Sequence, residues 1–277
     1  MGNVRGNFYS RKHVNLDVKS KLFWDFSFHD HAKIDLPNMV DYILEKTEHK
    51  QLYYIGHSQG TTMAFAGFSE NENLQSKIKM FFALAPVSRV AHTNEAFKGM
   101  ASKTGFFQLY AKLFNVHEVF PLKDAVDSAK ICRFVPHLCE AILTIVTGPD
   151  CEGFNFTRVP VYIGHTPAGT SVKNLVHWFQ IINTKTFAKF DYGEEGNFDH
   201  YGTRFAPQYD LNKINVPTVL ISGGADTLAP FEDVQWTKEH LPNVKHFQIK
   251  CFNHVDFLHG VKGGEIVYKI FRDMISN

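Results

Sequence analysis

The chain has 277 residues, of which 44% are hydrophobic; a globular chain of this length buries roughly 75% of its unfolded surface, which excludes disorder as its main state. With 29 Lys and Arg against 28 Asp and Glu the net charge is +1, and no run of five basic residues occurs, so nucleic acid is excluded as a partner. No stretch approaches the ~18 apolar residues of a membrane-spanning segment, and Met1-Lys12 shows neither the apolar core of a signal peptide nor a transit pattern.

In chain order, Asp35-Leu36-Pro37 predicts a helix start with Asp as N-cap and Pro in the first turn. Leu36, Met39, Val40, Ile43 and Leu44 form its apolar stripe. Gln51-Ile55 reads as a short buried strand ended by Gly56, Thr61-Phe68 as a small-residue helix, and Ile78-Leu84 as a second strand stopped near Pro86. From about His92 to Ala206 the alternation gives way to helical segments rich in Phe, which read as an insertion. Alternation then resumes: a strand at Val216-Ser222, a helix near Phe231-Leu241, a strand at Val244-Ile249 and a closing helix with Ile266, Val267, Ile270, Phe271, Met274 and Ile275 on one side. The order predicts a parallel α/β sheet built from residues 1–91 and 207–277, with a helical cap at 92–206.

Gly56-His57-Ser58-Gln59-Gly60 fits the G-x-S-x-G pattern, and a predicted strand precedes it as a predicted helix follows. A serine at so sharp a turn is strained and leaves little room two residues away on either side, hence Gly56 and Gly60. In return its hydroxyl is exposed at a helix N-terminus, and the backbone N–H of Gln59 is aimed at a developing oxyanion. The pentapeptide alone would fit a Gly/Ser-rich turn equally well; the flanking elements make Ser58 the predicted nucleophile.

A serine nucleophile needs a histidine base and an orienting carboxylate, in the chain order Ser, Asp/Glu, His. Asp226 follows the strand Val216-Ser222 after a Gly-Gly turn, and His254 follows the last strand. Asp256 is the rival carboxylate and reads as solvated or as a loop brace. His29-Asp30-His31 offers ligand types without an H-E-x-x-H or C-x-x-C companion and reads as a solvated face. Gly223-Gly224-Ala225-Asp226 lacks the dinucleotide pattern, so neither a metal nor a cofactor is predicted. Cys132 and Cys139 are near enough in sequence for a local bridge, and Asn155-Phe156-Thr157 is a glycosylation sequon.

The sequence resembles the acid lipases, the family of gastric and lysosomal acid lipase. The likeness rests on Met1-Gly2-Asn3 with Arg5-Gly6-Asn7, on Phe23-Trp24-Asp25-Phe26-Ser27-Phe28, on Tyr54 to Thr61 and on Ala83-Leu84-Ala85-Pro86. It continues through His165 to Ser171 with His177-Trp178, then Gly223 to Asp226 and Asn253 to Phe257. The resemblance implies an α/β-hydrolase with a helical cap and a triad of Ser58, Asp226 and His254. It also implies Gln59 as an oxyanion donor, a cap disulfide near Cys132 and Cys139, and lipid ester substrates met at a lipid–water interface by a secreted or lysosomal enzyme. Members carry a segment ahead of the Met-Gly-Asn motif with a secretion signal, the first strands of the sheet and a loop giving the second oxyanion donor. The expectation is therefore a sheet without its first strands, a second donor missing, poor solubility and weak activity. Two other readings stay open: a lipid-binding relative with impaired catalysis, and a thioesterase or peptidase using the same triad.

Overall fold

The computed structural model describes residues 1–149 and 155–276. The helix expected to start at Asp35 starts earlier. Ser27 caps the turn Phe28–Asp30 in a capping box, its hydroxyl accepting from the His29 N–H and the Asp30 carboxylate accepting from the Ser27 N–H at 2.8 Å. The chain continues through a π-helical turn, His31–Asp35, into α1, Leu36–Thr47. Asp35 is helical and makes no cap bond. Its carboxylate instead accepts from the Arg5 backbone N–H and guanidinium at 2.7 to 2.9 Å, a tertiary contact thirty residues away in sequence.

β1, Leu52–His57, leads into α2, Gln59–Glu70, and then β2, Ile78–Leu84. A helical stretch follows that includes α3, Val172–Thr184. The chain ends with β3, Thr218–Gly223, α4, Phe231–Glu239, β4, Val244–Ile249, and α5, Gly263–Ile275. β1 runs two residues past its predicted end because Gly56 and His57 continue the ladder opposite Ala83 and Leu84. The four strands form one parallel sheet in the order β1-β2-β3-β4, so each new strand is laid on the same side of the last.

Because side chains alternate across a pleated strand, the apolar runs of β2 and β3 serve two cores. Phe81, Ala83 and Leu220 pack with Leu36 and Val40 of α1 and Met63 and Phe65 of α2. Phe82, Leu84, Val219 and Ile221 face the other way, onto Val267 and the stripe Ile266, Ile270, Phe271 and Met274 of α5. β1 is an edge strand, and its Ile55 is 51% exposed.

Between β2 and β3 lie helices Glu95–Ala101, Thr104–Leu113, Leu122–Cys132, Pro136–Thr147 and α3, with a short antiparallel pair, Glu118–Val119 against Thr170–Ser171. α3 is set on the main core through Phe179, Ile181 and Ile182. The consequence for the site is topological. Parallel strands all end on one edge, and the loops after β1, β3 and β4 meet there.

Candidate active site

Ser58 is the residue at which β1 becomes α2. Its N–H still donates to the Leu84 carbonyl at 3.1 Å, while its own carbonyl accepts from the Thr61 N–H and hydroxyl. The residue is therefore the last rung of the ladder and the start of the helix at once, which forces φ to 52°. A Cβ on Gly56 would lie 2.7 Å from the Gly60 carbonyl group, so this position requires glycine. A Cβ on Gly60 would meet only the Tyr54 hydroxyl, at 3.8 Å. The steric demand expected of both glycines thus falls on Gly56.

The loops after β3 and β4 approach closely because Gly223 has no side chain: a Cβ there would sit 2.1 Å from the Phe252 carbonyl oxygen. Asp226, next in that loop, has its Oδ1 fixed by the N–H groups of Leu228 and Ala229 at 2.9 and 2.8 Å. Its Oδ2 lies 2.9 Å from His254 Nδ1, and His254 Nε2 lies 2.7 Å from Ser58 Oγ. Asp226 and His254 are each 5% exposed. The carboxylate holds the imidazole proton on Nδ1 and leaves the Nε2 lone pair to the serine hydroxyl.

The His254 backbone is itself anchored, its N–H donating to the Thr147 carbonyl and its carbonyl accepting from His57 Nε2 at 2.7 Å. Burial, helped by the neighbouring His254, pushes the His57 pKa down to about 3, so the ring is a neutral donor. Asp256 is fully buried, and its Oδ2 accepts from the Asn253 N–H at 2.7 Å. It braces the loop and is not solvated, because the Asn253 to Asp256 turn folds inward.

His29-Asp30-His31 is likewise no solvated face. His31 is 1% exposed and His29 pairs with the Tyr209 hydroxyl at 2.7 Å, since the turn that carries them is packed against α2. Gln59 is met by His31, Asn174 and Trp178. His31 belongs to the His29-Asp30-His31 cluster and Trp178 to the His177-Trp178 match, but neither carried a signal for this role, and Asn174 carried no signal at all. Cys132 and Cys139 are disulfide-bonded beside buried Val159, and Asn155 is exposed with its side-chain oxygen accepting from Thr157.

A cavity of about 440 Å³ opens at Ser58 and His254, walled by Val87, Phe97, Leu175, Trp178, Ile182 and Leu228. Another, of about 500 Å³, lies among Lys21, Trp24, Lys112, Lys173 and Tyr192 and contains neither Ser58 nor His254.

A parallel sheet whose first strand turns into a helix at a strained serine, with a histidine and a carboxylate from later loops in reach, defines the α/β-hydrolase class, and residues 1–261 match the alpha/beta hydrolase fold family. Human lipase member K is 40% identical over 276 residues, covering 97% of this chain and 68% of its own length. Human gastric triacylglycerol lipase is 39% identical, with 100% and 70% covered, and rat lysosomal acid lipase/cholesteryl ester hydrolase is 38% identical over the same shares. The chain belongs to the acid lipase family and is a hydrolase of the lipase type. Among solved structures, a monoacylglycerol lipase from Paleococcus ferrophilus shares the fold at a TM-score of 0.50 and 15% identity, covering 91% of this chain and 76% of that one.

Proposed function

We propose that the chain hydrolyses carboxylic esters of neutral lipids, acylglycerols or sterol esters, through an acyl-enzyme on Ser58. The observation that carries this reading is the unbroken line from Asp226 through His254 to Ser58, at 2.9 and 2.7 Å, opening into a largely apolar cavity. Ser58 Oγ attacks the ester carbonyl as His254 Nε2 takes its proton. The oxyanion is received by the Gln59 N–H, and the imidazolium, oriented by Asp226, then protonates the leaving alcohol. Water, deprotonated by the same nitrogen, attacks the acyl-Ser58 ester and releases the fatty acid.

In this reading residues 92–206 act as a cap, with Phe97, Leu175, Trp178 and Ile182 giving an acyl chain its wall. Contact with a lipid surface is supported by exposed apolar side chains on the cap helices, among them Phe106, Leu113, Ile131, Leu138 and Ile145. The disulfide and the exposed sequon support maturation along the secretory route, to a secreted or lysosomal destination.

A fluorophosphonate probe should label the wild type and not Ser58→Ala, which fits the turn and lacks only the nucleophilic oxygen. A triacylglycerol emulsion should be turned over in preference to an aminoacyl amide. Labelling retained in Ser58→Ala, or preference for the amide, would refute the proposal.

A further inference from the structure

The side chain of Gln59 is held by three partners whose proton arrangement follows from residue type. An indole can only donate, and Trp178 Nε1 lies 2.8 Å from Gln59 Oε1. Asn174 Oδ1 accepts from the Phe28 N–H at 2.7 Å, which leaves Asn174 Nδ2 to donate to the same Gln59 oxygen at 2.9 Å. Two donors on Oε1 fix the orientation of the Gln59 amide. The atom 3.2 Å from His31 Nδ1 is therefore Nε2, a donor, and His31 Nδ1 must present a lone pair.

We propose that His31 is a positioning residue for the oxyanion site: with Asn174 and Trp178 it clamps the Gln59 side chain and so fixes the backbone N–H that receives the developing charge. The inference rests on the acyl-enzyme reading above. Gln59 is the first residue of α2, directly after the left-handed Ser58, and the N–H groups of a helix's first turn have no acceptor within the helix. The helical ladder holds that peptide group from one end, through the Ser58 carbonyl, which accepts from Thr61 and Thr62. The side-chain clamp holds the other end, at Gln59 itself, from the turn His31–Asp35 on one side and from α3 on the other.

The surroundings of His31 agree with the required neutral ring. Burial lowers its pKa to about 4; Asp35 and Asp30 favour a proton, Arg5 opposes it, and Arg5 is itself paired with Asp35. The Phe26 ring lies 5.3 Å away and contributes no charge. An imidazolium would turn Nδ1 into a donor facing the Gln59 donor, and the clamp would open.

Kinetics on a soluble ester and fluorophosphonate labelling test this with three folded variants. His31→Leu removes the acceptor, His31→Asn restores one at a similar place, and Trp178→Phe removes a donor on Oε1. Small displacements of a catalytic donor cost on the order of ten- to a hundredfold. His31→Leu should accordingly lower kcat by about tenfold or more with KM within twofold, His31→Asn should recover most of the loss, and Trp178→Phe should lower kcat in the same direction. Wild-type kcat in both His31→Leu and Trp178→Phe would overturn the clamp, as would a His31→Asn variant no better than His31→Leu. If His31→Leu does not unfold cooperatively, Trp178→Phe decides by the same criterion. A wild type that neither labels nor turns over ester would overturn the acyl-enzyme reading and this inference together.

Discussion

Two carboxylates sit beside the loop that carries His254, and their hydrogen bonds separate them. Asp226 meets His254 Nδ1, whereas the Oδ2 of Asp256 is bound to the Asn253 N–H. Asp226→Asn should lower kcat by roughly 10⁴, the loss expected when the imidazole is left in the wrong tautomer. Asp256→Asn should act mainly on stability. Steady-state kinetics beside urea midpoints will show it, and the opposite ranking would move the orienting role to Asp256. The glycines of the elbow separate in the same way. Gly56→Ala drives a methyl group into the Gly60 carbonyl and should abolish ester turnover, while Gly60→Ala meets only ordinary contact at 3.8 Å and should keep most of it. Equal damage from both would mean that the turn demands more than Cβ clearance.

At the scale of elements, the beginning of α3 ties three segments together. Ser171 Oγ accepts from the Asn174 N–H at 2.9 Å and donates to the Phe26 carbonyl, so one hydroxyl caps the helix and pins the segment just before the Ser27 turn. Ser171→Ala should cost about 1–2 kcal/mol, read as a lower urea midpoint at unchanged slope. Because Asn174 is both capped by Ser171 and bound to Gln59, this variant should also lose some kcat. An unchanged midpoint would show that water replaces the cap without penalty. The apolar runs Ile78-Leu84 and Val244-Ile249 coincide with β2 and β4, and the predicted apolar stripes lie within α1 and α5, whose length shows the helical period. The Ser27 start was hidden because its helix is a single turn, and Asp35 before Pro37 offered the more familiar signal.

For the whole molecule, burial lowers the pKa of six histidines among the described residues, and of three of them strongly. His31 has a pKa of about 4, and His57 and His177 of about 3, with loss of solvation the largest cause in each. All three titrate near 6.5 when unfolded. Above that pH both states are neutral and nothing is gained or lost. Below it the unfolded chain takes up protons that the native chain refuses, so stability falls as pH drops from about 6.5 toward 4, by at most about 1.4 kcal/mol per unit per histidine. Urea midpoints from pH 7 to 4 should decline, and less steeply in His31→Asn, which has one fewer such group. A flat profile, or the same slope in that variant, would contradict the assignment.

Sequence by itself determined the parallel α/β class and the serine at the strand-to-helix turn, and it pointed to Asp226 and His254, whose side chains do meet each other and, through His254, Ser58, because local periodicity and topology fix which loops share an edge of the sheet. It also carried the family likeness, since the motifs Tyr54 to Thr61 and Asn253 to Phe257 are contiguous in the chain. The tertiary structure alone decided that His31 and Asp256 are buried, that Gly56 and not Gly60 bears the steric demand, and that Asn174 and Trp178 hold Gln59 from more than a hundred residues away. These depend on which atoms meet across elements distant in sequence, and a hydrogen bond between such groups leaves no period, spacing or motif along the chain.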